Sequence, residues 1–257
     1  IQIADAGQLD YLYSDKDKLK GAQIQQFFNK TSASYVGNLV NVDRSISGHS
    51  YFTTSPEKRA VDIRQAVAAE VAKIEGLRYW MSEYCILGDS LMKGEKRDLG
   101  IAPALFIAKL IHHDLAISNA TSWQWWLAVS PSDYKDGLVY IDKNKDGGKV
   151  YDSKMLWALG NYSRFVIPGS KRLPVTAETE LPVYISSYRR PDGKLVTVVV
   201  NNHLADVKVS LAYTGGKPGK AQTYITSSAF DLRPGDSYDA LTNINIPAQS
   251  ITTVICN

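Results

Sequence analysis

Tyr79-Trp80-Met81-Ser82-Glu83-Tyr84-Cys85 is a short apolar and aromatic run with one carboxylate near its end. One helix-length later comes a second run, Ser122-Trp123-Gln124-Trp125-Trp126-Leu127. Runs of this length, with helix-like sequence between them, are expected to be consecutive strands of an α/β sheet. The first brings Glu83 to a pocket at its end, and the second lines that pocket with indoles. Trp123 and Trp125 alternate with Gln124, so they share one strand face, with Gln124 and Trp126 on the other. One pair is expected to face the pocket and the other the helix layer. A fixed carboxylate beside aromatic walls suits sugar chemistry. A pyranose stacks its apolar C–H faces on indole, and a carboxylate can attack its acetal carbon.

Outward from these runs, strand and helix alternate over the first two thirds of the chain. Ile1 to Asp5 reads as a strand and Leu19 to Phe28 as a helix. A second strand ends near His49. The next helix has Ser55 as its cap, Pro56 in its first turn and Gly76 at its end. Its apolar stripe is Ala60, Ile63, Val67, Val71 and Ile74. A helix over about Ile101 to Ile117 separates the two aromatic strands. A last helix, opened by Ser153, turns Leu156, Trp157 and Leu159 inward and stops at Pro168-Gly169. After Lys171 the pattern changes to β-rich runs: Pro182 to Tyr188, Leu195 to Asn201, Val207 to Ala212, Ala221 to Thr226 and Ser250 to Cys256. Turns such as Pro191-Asp192-Gly193 and Gly215-Gly216-Lys217-Pro218-Gly219 separate them. The expected organisation is an α/β domain over residues 1–170 and a small antiparallel β-sandwich over 171–257.

The chain has 257 residues, 44% hydrophobic and 21% charged, with a formal net charge of +3. Its Lys and Arg residues are scattered, which argues against a nucleic-acid surface. No apolar run reaches the roughly 18 residues a spanning helix needs, so no membrane partner is expected. Cys85 and Cys256 lack metal-ligand spacing and read as buried thiols. No cofactor and no metal site are expected. Asp142-Lys143-Asn144-Lys145-Asp146-Gly147 opens like an EF-hand loop, but Ser153 stands where the twelfth-position Glu belongs, so a solvated hairpin turn is the better reading. His112-His113 reads as a helix-surface or interhelical pair. No Gly-rich phosphate loop follows any strand, which disfavours a nucleotide-binding sheet.

Five pieces in order resemble glycoside hydrolase family 30. They are Asp5-Ala6-Gly7-Gln8-Leu9-Asp10-Tyr11-Leu12-Tyr13, Gly48-His49-Ser50-Tyr51, Trp80-Met81-Ser82-Glu83-Tyr84, Ser122-Trp123-Gln124-Trp125-Trp126, and Leu156 through Ser170. The resemblance implies a retaining hydrolase with a (β/α)8 barrel and a side β-sandwich, nearest the β-1,6-galactanase-like branch. It implies that Glu83 is the nucleophile at the end of the seventh barrel strand. It also implies that His49, Tyr51, Tyr84 and Asp5 line the substrate site and that Trp123 and Trp125 form the eighth-strand wall. Asp5 and Asp10 lie near the end of the fifth strand, where a structural turn role is equally open. The family's acid/base is an Asn-Glu pair, and no such dipeptide occurs here.

A barrel needs eight βα units and this chain supplies about four. The fold expected is therefore the C-terminal half, strands 5–8, of a TIM barrel followed by an antiparallel β-sandwich. The missing N-terminal half would be the partner that carries the acid/base, and the whole would be a monomer acting on a carbohydrate outside the cell or in the periplasm. The alternative is a carbohydrate-binding module that keeps the aromatic pocket without catalysis.

Overall fold

Four parallel strands build the first part of the chain: β1 (Ile3–Ala6), β2 (Ser45–His49), β3 (Arg78–Glu83) and β4 (Ser122–Trp123), hydrogen-bonded in that order. The computed structural model describes residues 1–88, 92–177, 179–214 and 219–256. Most of the turn expected at Gly215 to Gly219 thus lies outside the described residues. Contacts divide the chain into two units: Ile1–Arg97 with His113–Gly137, and Asp98–His112 with Leu138–Asn257.

In the first unit, the inner strand β2 is buried on both faces up to Gly48, as parallel pairing favours, while β3 buries the face of Tyr79 and Met81. Ile46, Tyr79 and Met81 are essentially inaccessible. Between β1 and β2 lie two short helices, α1 (Asp10–Tyr13) and α2 (Gln23–Phe28). The helix expected from Leu19 begins only at Gln23, because Asp17 Oδ1 accepts from the backbone N–H groups of Leu19 and Lys20 and holds them in a turn. Gly21 closes that turn, where a Cβ would meet Ser14 O at 2.2 Å. The third helix, α3 (Glu57–Ala72), starts with Pro56 rather than Ser55 at its cap, because Pro56 itself has extended backbone at ψ 165° and the first helical residue is Glu57. Its buried face is Ala60, Ile63, Arg64 and Val67.

The second unit opens with α4 (Ile101–His112), whose chain continues into a π turn, His113–Ile117, that belongs to the first unit. After β5 (Val129–Ser130), a hairpin of β6 (Val139–Ile141) and β7 (Val150–Asp152) encloses Asp142 to Asp146. Asp142 Oδ2 accepts from Lys149 N and Asn144 Oδ1 from Asp146 N, so this stretch is the expected hairpin turn. Helix α5 (Lys154–Ser163) follows. Ser153 occupies its cap position, yet its hydroxyl donates to Leu138 O and leaves the helix N–H groups alone. The inward face of α5 is Met155, Ala158, Asn161 and Tyr162, displaced from the expected Leu156, Trp157 and Leu159, which are half-buried.

Eight strands complete the unit: β8 (Lys171–Leu173), β9 (Val183–Arg189), β10 (Leu195–Asn201), β11 (Val207–Val209), β12 (Ala221–Thr226), β13 (Arg233–Tyr238), β14 (Ile244–Ile246) and β15 (Ser250–Cys256). Six form an antiparallel sheet in the order β13-β12-β15-β10-β9-β8, and β11 pairs with β14 in a second sheet. Every residue of β10 is buried. Leu195 and Val199 share a core with Ile244, Ile246 and Val254 on one side. Val196, Val198 and Val200 alternate to the other face, where α4 and α5 pack. Strand β13 escaped the sequence reading because Arg-Pro-Gly-Asp-Ser-Tyr is polar and carries Pro234, which an edge strand tolerates.

Ile244 is fully buried at the centre of the two-sheet core. Ile244→Ala is expected to cost about 2–5 kcal/mol of stability, read as a lowered urea midpoint. A loss below about 0.5 kcal/mol would contradict this core assignment.

Candidate active site

The C-terminal ends of the four parallel strands carry the chemistry-bearing side chains. Strict alternation along β3 would put Glu83 on the face of the fully buried Tyr79 and Met81. A register shift between Gly48 and His49 interrupts that alternation: Gly48 lies opposite Met81, and the next residue, His49, opposite Glu83. Glu83 thereby keeps 29% side-chain exposure. Bulges beside functional groups re-aim side chains in this way. A second shift, between Ile3 and Asp5 on β1, passes through Ala4 at φ 50°.

These ends bring His49, Tyr51, Glu83 and Asp5 together. Tyr51 Oη donates to Glu83 Oε1 at 3.1 Å and lies 3.6 Å from Cys85 Sγ. Burial pushes the Tyr51 phenol well above its ordinary range, and the neighbouring Cys85 and Glu83 add to it. Tyr51 is thus a fixed neutral donor at any physiological pH. His49 Nδ1 is 3.8 Å from Glu83 Oε1, and its Nε2 is 3.2 Å from Asp5 Oδ1, though not aligned for a hydrogen bond. Ser82 Oγ donates to Asp5 Oδ1 at 2.6 Å. Asp10 is engaged otherwise: it accepts from Tyr13 Oη at 2.8 Å and pairs with Arg59 at 3.4 Å.

The aromatic residues form a continuous series. Tyr51 stacks on Tyr84 with ring centres 5.3 Å apart, Tyr84 meets Trp125 edge-on at 6.1 Å, and Trp125 stacks on Trp123 at 6.1 Å. Tyr84 is fully buried and reaches the site through Tyr51 and Trp125. Trp123 and Trp125 are half-buried, and Trp126 is exposed. Only Ser122 and Trp123 belong to the regular β4, but Gln124 N and Trp126 N still donate to Met81 O and Tyr84 O and carry the run along β3. Trp125 Nε1 donates to Asp136 O at 2.8 Å.

Two residues behind this wall were missed by the sequence reading. Arg64 and Asp114 are completely buried and pair at 2.7 Å. Arg64 Nη1 also donates to Thr53 O and Ala60 O, and Asp114 accepts from Ser50 Oγ and Trp123 Nε1. The signal was present, since a charged residue between Ile63 and Val67 on the apolar face of a helix needs a buried partner. His113 in the π turn lies 3.0 Å from Glu57 of α3, which makes it interhelical as expected. Cys85 and Cys256 are both buried thiols rather than disulfide-bonded. Among the described residues no group of three or more His, Cys, Asp or Glu side chains could hold a metal ion.

Residues 1–140 match the model of O-glycosyl hydrolase family 30, and residues 169–254 match that of the glycosyl hydrolase family 30 beta sandwich domain. The chain belongs to glycoside hydrolase family 30. It is 29% identical over 159 residues to the glucuronoxylanase XynC of Bacillus subtilis, covering 59% of this chain and 34% of that protein. It is 29% identical over 114 residues to the lysosomal acid glucosylceramidase of Mus musculus, covering 41% of this chain and 21% of that one. Among solved structures, a conserved exported protein from Bacteroides fragilis superposes with a TM-score of 0.85 at 27% identity, over 99% of this chain and 55% of that one. A GH30 endoxylanase from Clostridium papyrosolvens superposes with a TM-score of 0.70 at 24% identity, over 100% of this chain and 55% of that one, and shows likeness of fold. The chain therefore spans between about a third and just over half of these xylanases and the exported protein. These likenesses agree with the barrel-plus-sandwich class expected from the sequence.

The buried pair makes a stability prediction independent of any activity. Arg64→Met leaves the Asp114 carboxylate without its counter-charge. Removing one partner of a buried pair costs about 3–5 kcal/mol. A denaturant titration should show that loss, and an unchanged midpoint would mean that the pair carries no net weight in this fold.

Proposed function

We propose that this family 30 chain carries the nucleophile half of a retaining glycoside hydrolase acting on a β-linked polysaccharide or oligosaccharide. The observation that carries the reading is Glu83: a carboxylate at the C-terminal end of a parallel strand, partly exposed, and held by the neutral Tyr51 hydroxyl at 3.1 Å. Catalytic groups of α/β barrels lie at that end of the strands. The four strands correspond to strands 5–8 of a (β/α)8 barrel, a reading supported by their all-parallel order. The matched segments, 1–140 and 169–254, support a division into a catalytic part over 1–170 and a sandwich over 171–257.

In the mechanism proposed, the Glu83 carboxylate attacks the anomeric carbon while the glycosidic C–O bond breaks. A carboxylic acid about 5–5.5 Å away protonates the leaving oxygen. Water then hydrolyses the glycosyl ester, assisted by the same second group now acting as base, and frees Glu83. That acid/base is proposed to come from outside residues 1–257, because they contain no Asn-Glu pair. Tyr51 fixes one lone pair of Glu83 so that another points at the sugar, and His49, bridging towards Asp5, orders the rim. Trp123 and Trp125 supply the stacking surface, with Tyr84 as its support. The substrate favoured is a β-1,6-galactan, on the resemblance of the sequence motifs, and the site of action is extracytoplasmic.

Full-length protein bearing Glu83→Gln should fold and lose several orders of magnitude in turnover. Near-normal activity in that variant rules out Glu83 as nucleophile. Tyr51→Phe removes one hydrogen bond to a charged group and should lower kcat/KM about 10- to 100-fold. Assayed against β-1,6-galactan, β-1,6-glucan and glucuronoxylan, the wild-type full-length protein should release sugar fastest from the galactan. Tight binding without release from any of them would favour a carbohydrate-binding module.

A further inference from the structure

Asp114 does more than neutralise Arg64. Its Oδ1 accepts from Arg64 Nε at 2.7 Å, both its oxygens lie 3.0 Å from Ser50 Oγ, and its Oδ2 accepts from Trp123 Nε1 at 3.0 Å. Arg64 Nη2 donates in turn to Ser50 Oγ at 3.2 Å. The arginine and the serine already satisfy the buried charge. An indole N–H on a half-buried side chain could equally be solvated by water, so the Trp123 contact is not required to keep either group satisfied. What it does is fix the ring. With its edge tied to an immobile carboxylate and one neighbour, Trp125, stacked at 21°, the indole of Trp123 has little rotational freedom. Asp114 itself sits in the π turn, a local geometry that recurs at functional sites.

We propose that Asp114 is a positioning residue for carbohydrate recognition, holding Trp123 by its N–H edge so that the paired indoles form a rigid platform for a sugar face. It touches no substrate and acts only through Trp123. This rests on the glycan-cleft reading of the site. The gain is preorganisation: a ring already immobile loses little freedom when a ligand stacks on it.

The test is a double-mutant cycle in the full-length protein: wild type, Asp114→Asn, Trp123→Phe and the double variant. Each is titrated calorimetrically with β-1,6-galactotetraose and with xylotetraose and followed by thermal melting. Asp114→Asn should weaken binding of the bound oligosaccharide about 3- to 10-fold in the wild-type background and not at all on top of Trp123→Phe. Its loss of thermal stability should persist in both backgrounds, since Arg64 is left without its counter-charge either way. Equal weakening in both backgrounds, or unchanged binding with a lowered melting point, overturns the positioning role while leaving the glycan reading intact. Binding of neither oligosaccharide by wild type overturns both. If Asp114→Asn does not fold, the wild-type indole N–H resonances decide. Trp123 should exchange with deuterium far more slowly than exposed Trp126, and equal exchange rates overturn the proposal.

Discussion

The first unit is organised around one buried ion pair. Arg64 comes from a helix, Asp114 from a π turn, and through them Ser50 just after β2, the Thr53 carbonyl and Trp123 at the end of β4 are joined at one point. A pair fully removed from water is costly to desolvate, and replacing it with well-packed apolar groups is often neutral or stabilising. Its place here is better explained by geometry than by stability. Apolar contacts would fill the same volume without specifying where Trp123 points, whereas a carboxylate with directional acceptors does.

From that anchor the order propagates to Glu83 by two routes. One runs through the aromatic series, from Trp123 to Trp125, Tyr84 and Tyr51, and ends in the Tyr51 hydroxyl on Glu83. The other runs along the sheet, where the irregularity at Gly48–His49 sets His49 opposite Glu83. Packing is close there: a Cβ on Gly48 would lie 3.0 Å from the Leu12 side chain, which would have to give way by a few tenths of an ångström. The wall and the carboxylate are thus parts of one packed assembly, and Tyr51, which donates to Glu83, is itself backed by Tyr84.

Where side-chain chemistry was distinctive, the sequence disclosed the strands and pointed to residues that the structure gathers at the strand ends. Glu83 in an aromatic run, the alternating tryptophans and the apolar Leu195 to Asn201 strand were all readable, because period and composition agree there. What stayed hidden depended on partners distant in the chain. The Arg64–Asp114 pair spans two elements 50 residues apart. The shortened α2 depended on a single Asp17 turn, and the inward face of α5 on which side of the helix the six-stranded sheet covers. Polar, proline-bearing β13 is a strand only because β12 lies beside it. Tyr84 looked like a substrate contact by its place in the motif, yet burial makes it a support for its neighbours.

The central claim is that the Glu83 carboxylate forms a covalent bond to the sugar. A 2-deoxy-2-fluoro glycoside with a good leaving group slows hydrolysis of that bond and lets it accumulate. After incubation of the full-length protein with the fluorinated galactoside, peptide mass spectrometry should place the added sugar on Glu83, with none on the Glu83→Gln variant. A label on any other carboxylate, or rapid turnover of the reagent with inversion at the anomeric carbon, would contradict the account.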